Sequence, residues 1–487
     1  MTNLDLDEQI AYARQHFEEG LIRAGFVETS DGWKGMSPHE GGAREVLIDL
    51  PPRFPFKPPR VQPTDEDSVA WSWHRELDGA LCLVAEDDHE GLWWADPAAF
   101  LEHIAAWFTQ TEAGWPNDRP DLDLERYFHP SEDTRLFLYG DLSEYCNAFV
   151  RFRAARNNTM IMTRGTSPAK VSPRMKDRFG YVADLGKVDV PPRSWGDIAS
   201  RIDPSVDLER RIRQHTVSVV ALSYLRGDHP GALVVEVWPT TLGTIAVRRL
   251  HSSPNTEVAR ASRAGVLAPA IRNSKVAVVG TGALGSFIAD MLVRAGVRHL
   301  TLIDGDVVMP GNVVRHVAGE DAIGRPKPDA VKEQLGRHDP AWARDIVAVP
   351  EPLTSGADAS ELIAHNDLVV DATADFATTA LLHLSAASSG AHILSAVILD
   401  EGATCRIDLL PPLDDAPLLP PSTSAGQASP GTYEAGCGSP ISATPPHAVI
   451  EAAAVATRHV VGILTGKPVH PSGEIRALLP AVEGVPD

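Results

Sequence analysis

The sequence predicts an α/β fold with a parallel sheet, and the clearest evidence lies beyond the middle of the 487-residue chain. Residues 275–279 form a short apolar, β-branched run typical of a buried parallel strand, and residues 299–303 form a second. Between them, apolar side chains recur at helical spacing over residues 286–295. A strand, a helix and a strand in this order predict a Rossmann-like βαβ unit.

A glycine-rich turn joins the first of these strands to the helix. Gly280, Gly282 and Gly285 have the spacing G-x-G-x-x-G, and Asp304 follows the second strand. Such glycines permit a tight turn and let the backbone approach a phosphate, which the N–H groups and dipole of a helix N-terminus attract. A carboxylate in the position of Asp304 can accept ribose hydroxyls. The pattern predicts a nucleotide site, and it is typical of NAD enzymes as well as of other nucleotide-binding proteins.

A series of polar residues follows in order along the chain: Asp306, Asn312, Arg315, Lys327, Asp371 and Asp375. Over residues 270–465 this series resembles the ThiF/MoeB/HesA superfamily, the ATP-dependent activators of ubiquitin-like proteins. The resemblance implies that the glycines, the aspartates at 304 and 306, and Asn312 bind ATP. It also implies that Arg315 and Lys327 stabilise the charge that develops during adenylation.

The chain departs from the superfamily pattern at two places. His316 stands where the family usually has Gln, and the last motif, residues 371–375, has one extra residue. The resemblance implies a magnesium ion held by an aspartate of this motif. Because of the extra residue, Asp371 and Asp375 are both candidates for that position.

The first 130 residues carry a different pattern. Helices are expected over residues 5–24 and 98–109, with a proline-rich extended segment at 51–61 and the motif D-G-x-x-C-L ending around Cys82. This order resembles the ubiquitin-conjugating enzyme fold and implies an α+β domain in which Cys82 is the catalytic cysteine. The family's His-Pro-Asn motif is absent, so we expect His74 or a backbone N–H to stabilise the oxyanion.

For residues 131–270 we expect a linker followed by a small α/β or α+β domain of a type that the sequence does not identify. Helices are expected at 143–153 and 194–213, and a loop at 157–168. Three β-branched runs, at 216–225, 233–238 and 244–250, predict a small sheet. The remaining residues, 271–487, are assigned to the Rossmann-like ThiF-type domain.

A long loop is expected late in that domain, at residues 411–446, which are rich in Pro, Ser, Gly and Thr. Strands at 393–399 and 404–410 precede the loop, and an Ala-rich helix at 448–464 follows it. In activating enzymes a mobile segment after the adenylation core carries the cysteine that accepts the acyl group. The resemblance therefore implies that Cys437, within the loop, is a nucleophile.

Composition restricts the setting and the partners of the protein. A net charge of −21 without clustered Lys and Arg argues against a nucleic-acid surface. We expect no signal peptide and no membrane span, because no stretch of about eighteen uncharged apolar residues occurs. Four cysteines in this length do not make a disulfide framework, which favours a cytoplasmic location.

A conjugating-enzyme domain joined to an activating domain resembles the fused enzymes of bacterial CBASS antiphage systems. The resemblance implies that the chain adenylates the C-terminus of a ubiquitin-like protein or of a signalling nucleotidyltransferase. The acyl group would then pass through Cys437 and Cys82 to a target amine, and the protein would form a homodimer. The alternatives are a sulfur-carrier adenylyltransferase for cofactor biosynthesis, an NAD-dependent oxidoreductase and a non-catalytic adaptor.

Overall fold

A computed structural model describes residues 6–84, 91–116, 124–165, 176–421 and 444–479. The chain forms two compact units, which comprise residues 1–256 and 257–487. The division into three domains at residues 130 and 270 stays a prediction.

The first unit begins with a helix and an antiparallel meander of four strands, followed by a second helix. These elements are α1 (Leu6–Arg23), β1 (Val27–Thr29), β2 (Gly32–His39), β3 (Gly42–Asp49), β4 (Arg60–Pro63) and α2 (Pro97–Glu112). The Asp96 carboxylate caps α2 by accepting the Ala99 N–H at 2.8 Å. Both expected helices are confirmed, and apolar residues such as Phe17 and Phe100 form a common core between them.

An eight-stranded sheet fills the rest of the first unit, in the order β11-β10-β9-β8-β6-β7-β5-β12. Two short helices, α3 (Trp195–Ala199) and α4 (Leu208–Arg213), lie between β8 and β9 in the chain. The strands are β5 (Leu136–Tyr139), β6 (Phe149–Ala154), β7 (Thr159–Arg164), β8 (Arg178–Lys187), β9 (Val219–Arg226), β10 (His229–Pro239), β11 (Ile245–Arg249) and β12 (Ser252–Pro254).

Three expectations for this region are wrong. The segment 143–153, expected as a helix, contains most of β6, in which Val150 and Phe152 alternate with more exposed residues and are fully buried. This two-residue period is that of a strand. The expected loop at 157–168 contains β7. The helix expected at 194–213 is two short helices, α3 and α4, separated by residues 200–207, in which Pro204 starts a 3₁₀ turn. The three predicted strands that follow are confirmed as β9, β10 and β11.

The second unit is a seven-stranded sheet in the order β15-β14-β13-β16-β17-β18-β19, in which the first five strands are parallel. Its strands are β13 (Lys275–Val279), β14 (His299–Ile303), β15 (Ile346–Val349), β16 (Leu368–Asp371), β17 (Ile393–Leu399), β18 (Thr404–Leu410) and β19 (Gly473–Ala477). Its helices are α5 (Glu257–Ala261), α6 (Ala268–Ile271), α7 (Ala283–Ala295), α8 (Lys327–His338), α9 (Gly356–His365), α10 (Phe376–Ser389) and α11 (Pro446–Leu464).

Helices cover both faces of this sheet. Val276 and Val278 of β13 belong to a core with residues of α7, α8 and α11, whereas Ala277 and Val279 belong to a core with α9 and α10. A parallel sheet buried on both faces confirms the predicted Rossmann-like architecture. The strand order reverses at β13, and ligands of such sheets bind in the crevice at the carboxyl ends of the strands there.

One helix of the described residues, α11, has the length and hydropathy of a membrane span. Half of its most apolar 18-residue stretch is buried inside the protein, and side chains such as Val449 and Val460 belong to the core of the second unit. A core helix passes the same test of length and composition, so α11 is weak evidence for a span.

Candidate active site

The glycine-rich turn occupies the crevice at the end of β13. Gly280 has a φ of +83°, and a Cβ atom there would lie 2.8 Å from the backbone of Ala372 and Thr373. A Cβ atom on Gly285 would lie 1.8 Å from the carbonyl oxygen of Gly280. By contrast, a Cβ atom on Gly282 would meet no atom within 4 Å. Two of the three glycines are therefore required by the fold, and Gly282 leaves space open at the N-terminus of α7.

Because of this difference, alanine at Gly285 and alanine at Gly282 should affect different properties, folding stability in the first case and nucleotide binding in the second. For Gly285→Ala we expect a loss of about 3 kcal/mol of stability, since overpacking against backbone has no cheap relief. For Gly282→Ala we expect a melting temperature close to that of the unaltered protein but weaker nucleotide binding, because the methyl group fills the phosphate approach. Thermal unfolding and calorimetric ATP titration of both variants measure the two effects. Equal melting temperatures for the two variants would contradict the prediction.

A cleft of about 350 Å³ opens beside this turn. Asp304 lies in its wall, where its carboxylate accepts the backbone N–H of Thr281 at 2.8 Å and that of Asp306 at 2.9 Å. The carboxylate therefore holds the glycine-rich turn in place as well as facing the cleft. The predicted site residues that line the cleft are Gly280, Gly282, Asp304, Asp306 and Lys327.

Lys327 supplies the positive charge in the wall of the cleft. Its side chain is only 12% exposed, and its Nζ lies 2.7 Å from Oδ2 of Asp306, whose side chain is 75% exposed. The backbone N–H of Lys327 also donates to the carbonyl oxygen of Asp306 at 3.0 Å. These two bonds fix the first residue of α8 against the loop that follows β14, so the ammonium group is held at the cleft.

His316 forms a hydrogen bond to the glycine-rich turn. Its Nδ1 accepts the Ala318 N–H at 3.0 Å, which leaves the proton on Nε2, and Nε2 donates to the carbonyl oxygen of Thr281 at 2.8 Å. Burial lowers the pKa of this imidazole, so the neutral ring is favoured. The position at which the family usually has Gln is thus occupied by a residue that forms a hydrogen bond to the turn.

Asn312 and Arg315 lie outside the lining of the cleft, as do Gly285, Asp371 and Asp375. Asn312 Oδ1 accepts the backbone N–H of Met309 at 2.9 Å and so closes the 3₁₀ turn 310–315. Arg315 ends that turn and donates from Nη1 to the carbonyl oxygen of Thr444 at 3.4 Å. In this structure both side chains make bonds within the protein.

The two competing aspartates have different environments. Asp371 is 1% exposed at the end of β16, and its oxygens accept bonds from Thr373 and from the hydroxyl groups of Thr379 and Ser395. Asp375 is exposed and caps α10, accepting the Thr378 N–H at 2.9 Å. The pKa of Asp375 is lowered, mainly by the hydrogen bond from the Thr378 side chain, so this carboxylate is charged at neutral pH.

The extra residue of this motif has a visible structural consequence. Ala374 adopts a φ of +55°, in the left-handed region that non-glycine residues occupy at a cost of about 1 kcal/mol. The residue lies directly before Asp375, the N-cap of α10.

A magnesium ion fits this region only as part of a complex with phosphate. Among the residues that the structure describes, no group of three His, Cys, Asp or Glu side chains could hold a metal ion. Magnesium bound to nucleotides uses one or two carboxylates together with the phosphate oxygens, so one exposed aspartate suffices. The cleft wall carries two carboxylates against one ammonium group, so a polyphosphate there needs additional positive charge.

Cys82, in the first unit, lies at the end of a tight hairpin, residues 74–82, which an isolated β-bridge between Arg75 and Leu81 closes. Its N–H donates to the carbonyl oxygen of His74 at 3.0 Å, and Gly79 makes the turn with a φ of +86°. The thiol is partly exposed, and Nη2 of Arg126 donates to its Sγ at 3.1 Å. Burial raises the pKa of this thiol, while Arg126 acts in the opposite direction.

Arg126 is the residue that the sequence did not indicate. It follows Cys82 by 44 positions and belongs to no element of the conjugating-enzyme pattern. The other predicted nucleophile, Cys437, lies outside the described residues. Cys405, in β18, is fully buried and belongs to the core.

The second unit matches a family model. Residues 255–427 match the ThiF family. These residues form a ThiF family domain. The molybdopterin-synthase adenylyltransferase of Escherichia coli (strain K12) is 37% identical over 105 residues, which are 21% of this chain and 41% of that protein. The ATP-dependent ubiquitin transferase-like protein Cap2 of Enterobacter hormaechei is 36% identical over 112 residues, 23% of this chain and 18% of that protein.

The matched stretches cover less than half the length of these relatives. Among solved structures, the crystal structure of MccB from E. coli has a TM-score of 0.34 and 17% identity, covering 46% of this chain and 70% of that one. The family model covers residues 255–427, so the function of the whole chain has to be proposed from its own residues.

Proposed function

We propose that the protein is an ATP-dependent adenylyltransferase that activates the C-terminal carboxylate of a ubiquitin-like protein or of a signalling nucleotidyltransferase. The observation that carries this proposal is the cleft in the ThiF domain, where the glycine-rich turn, Asp304 and Lys327 surround one space. The N-terminus of α7 with its positive dipole end, next to a fixed ammonium group, suits a polyphosphate.

Adenylation brings two anions together, because a carboxylate attacks the α-phosphate and pyrophosphate leaves. The protein must therefore neutralise charge around the α-phosphorus, to which the carboxylate oxygen bonds and from which pyrophosphate leaves. Lys327 is held at the cleft for this role, and Arg315 is proposed to join it when nucleotide binds. Asp304 and Asp306 are proposed to orient the ribose and the ammonium group, and Asn312 to keep the intervening turn in shape.

Asp375 is the better candidate for the magnesium-linked position. Its carboxylate is exposed and charged, whereas Asp371 is buried and both of its oxygens accept hydrogen bonds from Thr373, Thr379 and Ser395. Magnesium would supply the positive charge that the cleft wall lacks.

Calorimetric titration tests the nucleotide assignment directly. We expect the full chain to bind ATP in the presence of Mg²⁺, to bind it more weakly with chelator, and not to bind NADH. Asp375→Asn is expected to weaken Mg-ATP binding about tenfold. Asp371→Asn is expected instead to destabilise the fold by about 2 kcal/mol, because a buried hydrogen-bonded oxygen is lost. Tight NADH binding without ATP binding would favour the oxidoreductase.

Cys82 is proposed to receive the activated acyl group and to pass it to a target amine, with Cys437 as an intermediate carrier. The similarity to Cap2 and the order of elements in the first unit support this step. A sulfur-carrier adenylyltransferase would use the same cleft but would not require Cys82, so that cysteine separates the two functions. A role in antiphage defence, a cytoplasmic location and a homodimer remain predictions.

A further inference from the structure

Arg126 and Glu76 surround the sulfur of Cys82 in the first unit. Nη2 of Arg126 lies 2.6 Å from Oε1 of Glu76 and 3.1 Å from Sγ of Cys82. The side chains of Arg126 and Glu76 are 22% and 33% exposed, so water only partly screens these charges. One guanidinium nitrogen thus bridges a carboxylate and a thiol that belong to the same hairpin.

The segment that carries Arg126 is anchored in the core. It is a 3₁₀ turn, residues 124–127, whose first and last side chains, Leu124 and Tyr127, are 1% and 2% exposed. The Tyr127 hydroxyl donates to the carbonyl oxygen of Trp73 at 2.6 Å, directly before His74. These contacts fix the 3₁₀ turn beside the hairpin and hold the guanidinium group at the sulfur.

Transfer of an acyl group from a thioester to an amine creates negative charge at two atoms. The amine nitrogen attacks the carbonyl carbon and forms the C–N bond, which places charge on the carbonyl oxygen. The tetrahedral intermediate then breaks its C–S bond, the sulfur leaves with the electron pair as a thiolate, and the proton of the amine passes to solvent. A cation beside the sulfur stabilises the leaving thiolate and lies close to the oxyanion.

We propose that Arg126 is a catalytic residue of the Cys82 site, which stabilises the leaving thiolate and the oxyanion, and that Glu76 is a positioning residue that orients its guanidinium group. This inference rests on the proposed function of Cys82 as an acyl carrier. It supplies the role for which the sequence offers no His-Pro-Asn asparagine.

A purely structural ion pair between Arg126 and Glu76 is the competing explanation. If Arg126 only anchored the fold through Glu76, its replacement by Gln would leave the pH profile of Cys82 alkylation unchanged. Among the described residues, the charged groups that act on the thiol are Arg126 and Glu76, and the neighbouring Tyr127 phenol stays neutral because burial raises its pKa. The two explanations therefore differ in the pH profile of one sulfur.

The experiment is alkylation of the full chain with iodoacetamide from pH 6 to 10, with the modification of Cys82 followed by peptide mass spectrometry. For Arg126→Gln we expect the pKa of the Cys82 thiol to rise by about one unit and its alkylation at neutral pH to fall about tenfold. Arg126→Lys should recover part of this loss. Glu76→Gln should shift the profile the opposite way, because a neighbouring negative charge is removed.

Arg249→Gln is the matched control, because Arg249 pairs with Glu125 of the same 3₁₀ turn and does not contact the sulfur. We expect its profile to equal that of the unaltered protein. If Arg126→Gln does not fold, Arg126→Lys and Glu76→Gln still decide the question. An unchanged Cys82 profile in the folded Arg126 variants would overturn the proposal. Target modification that persists in Cys82→Ala would instead refute the acyl-carrier function and leave the alkylation result intact.

Discussion

Replacement of Lys327 by alanine is expected to lower ATP–pyrophosphate exchange about 100-fold. The side chain is nearly enclosed at the cleft, and the loss of one preorganised charge that stabilises the transition state costs about 3 kcal/mol. Stability should change little, because Asp306, the carboxylate left without its partner, is largely exposed and hydrated. Exchange of radiolabelled pyrophosphate into ATP, with a candidate donor protein present, measures the effect.

Lys332→Ala provides the control for this measurement. Lys332 belongs to the same helix, α8, but does not line the cleft. Its removal takes away the same charge and side chain at a distance from the nucleotide, so exchange should stay within about twofold of the unaltered rate. If Lys327→Ala exchanges pyrophosphate at the rate of the unaltered protein, the ammonium group has no role in adenylation.

Replacement of Cys82 by alanine is expected to abolish modification of the target while adenylation continues. The adenylate forms in the ThiF domain, whereas the final transfer needs the sulfur of Cys82. If Cys437 is the intermediate carrier, a thioester that added thiol cleaves should accumulate there in this variant. In Cys437→Ala, no thioester should form on either cysteine. Gel electrophoresis with and without reducing agent separates these species.

Cys146→Ala is the matched control, because Cys146 is an exposed cysteine of the same unit with Asp184 as its neighbour at 3.8 Å. Target modification should persist in this variant at the rate of the unaltered protein. If Cys437→Ala still charges Cys82, the adenylate is delivered to Cys82 directly and the two-step relay is wrong.

The ThiF domain was the most predictable part of the structure. The strands 275–279, 299–303, 393–399 and 404–410 were predicted at the residues where they occur. Apolar runs between glycines and charged residues leave few alternatives when helices cover both faces of a sheet. The helix after the glycine-rich turn starts three residues before the predicted position, at Ala283, because its first turn is made of small residues with little periodicity.

The sequence was less informative wherever side chains meet across long separations. The strand β6 was expected as a helix because its charged residues hid the two-residue period of Val150 and Phe152. The contact of Arg126 with Cys82 joins two segments whose spacing follows from tertiary packing alone. Likewise, the ion pair of Lys327 with Asp306 had no sequence signal, although both residues were expected near the nucleotide.

The left-handed Ala374 bears on how related chains are recognised. A search that requires the aspartates of the last motif at the family's usual separation would miss this chain, although Asp375 still caps α10. Glycine or asparagine adopts this backbone conformation at lower cost than alanine, so homologues with the same insertion are expected to carry Gly or Asn at this position.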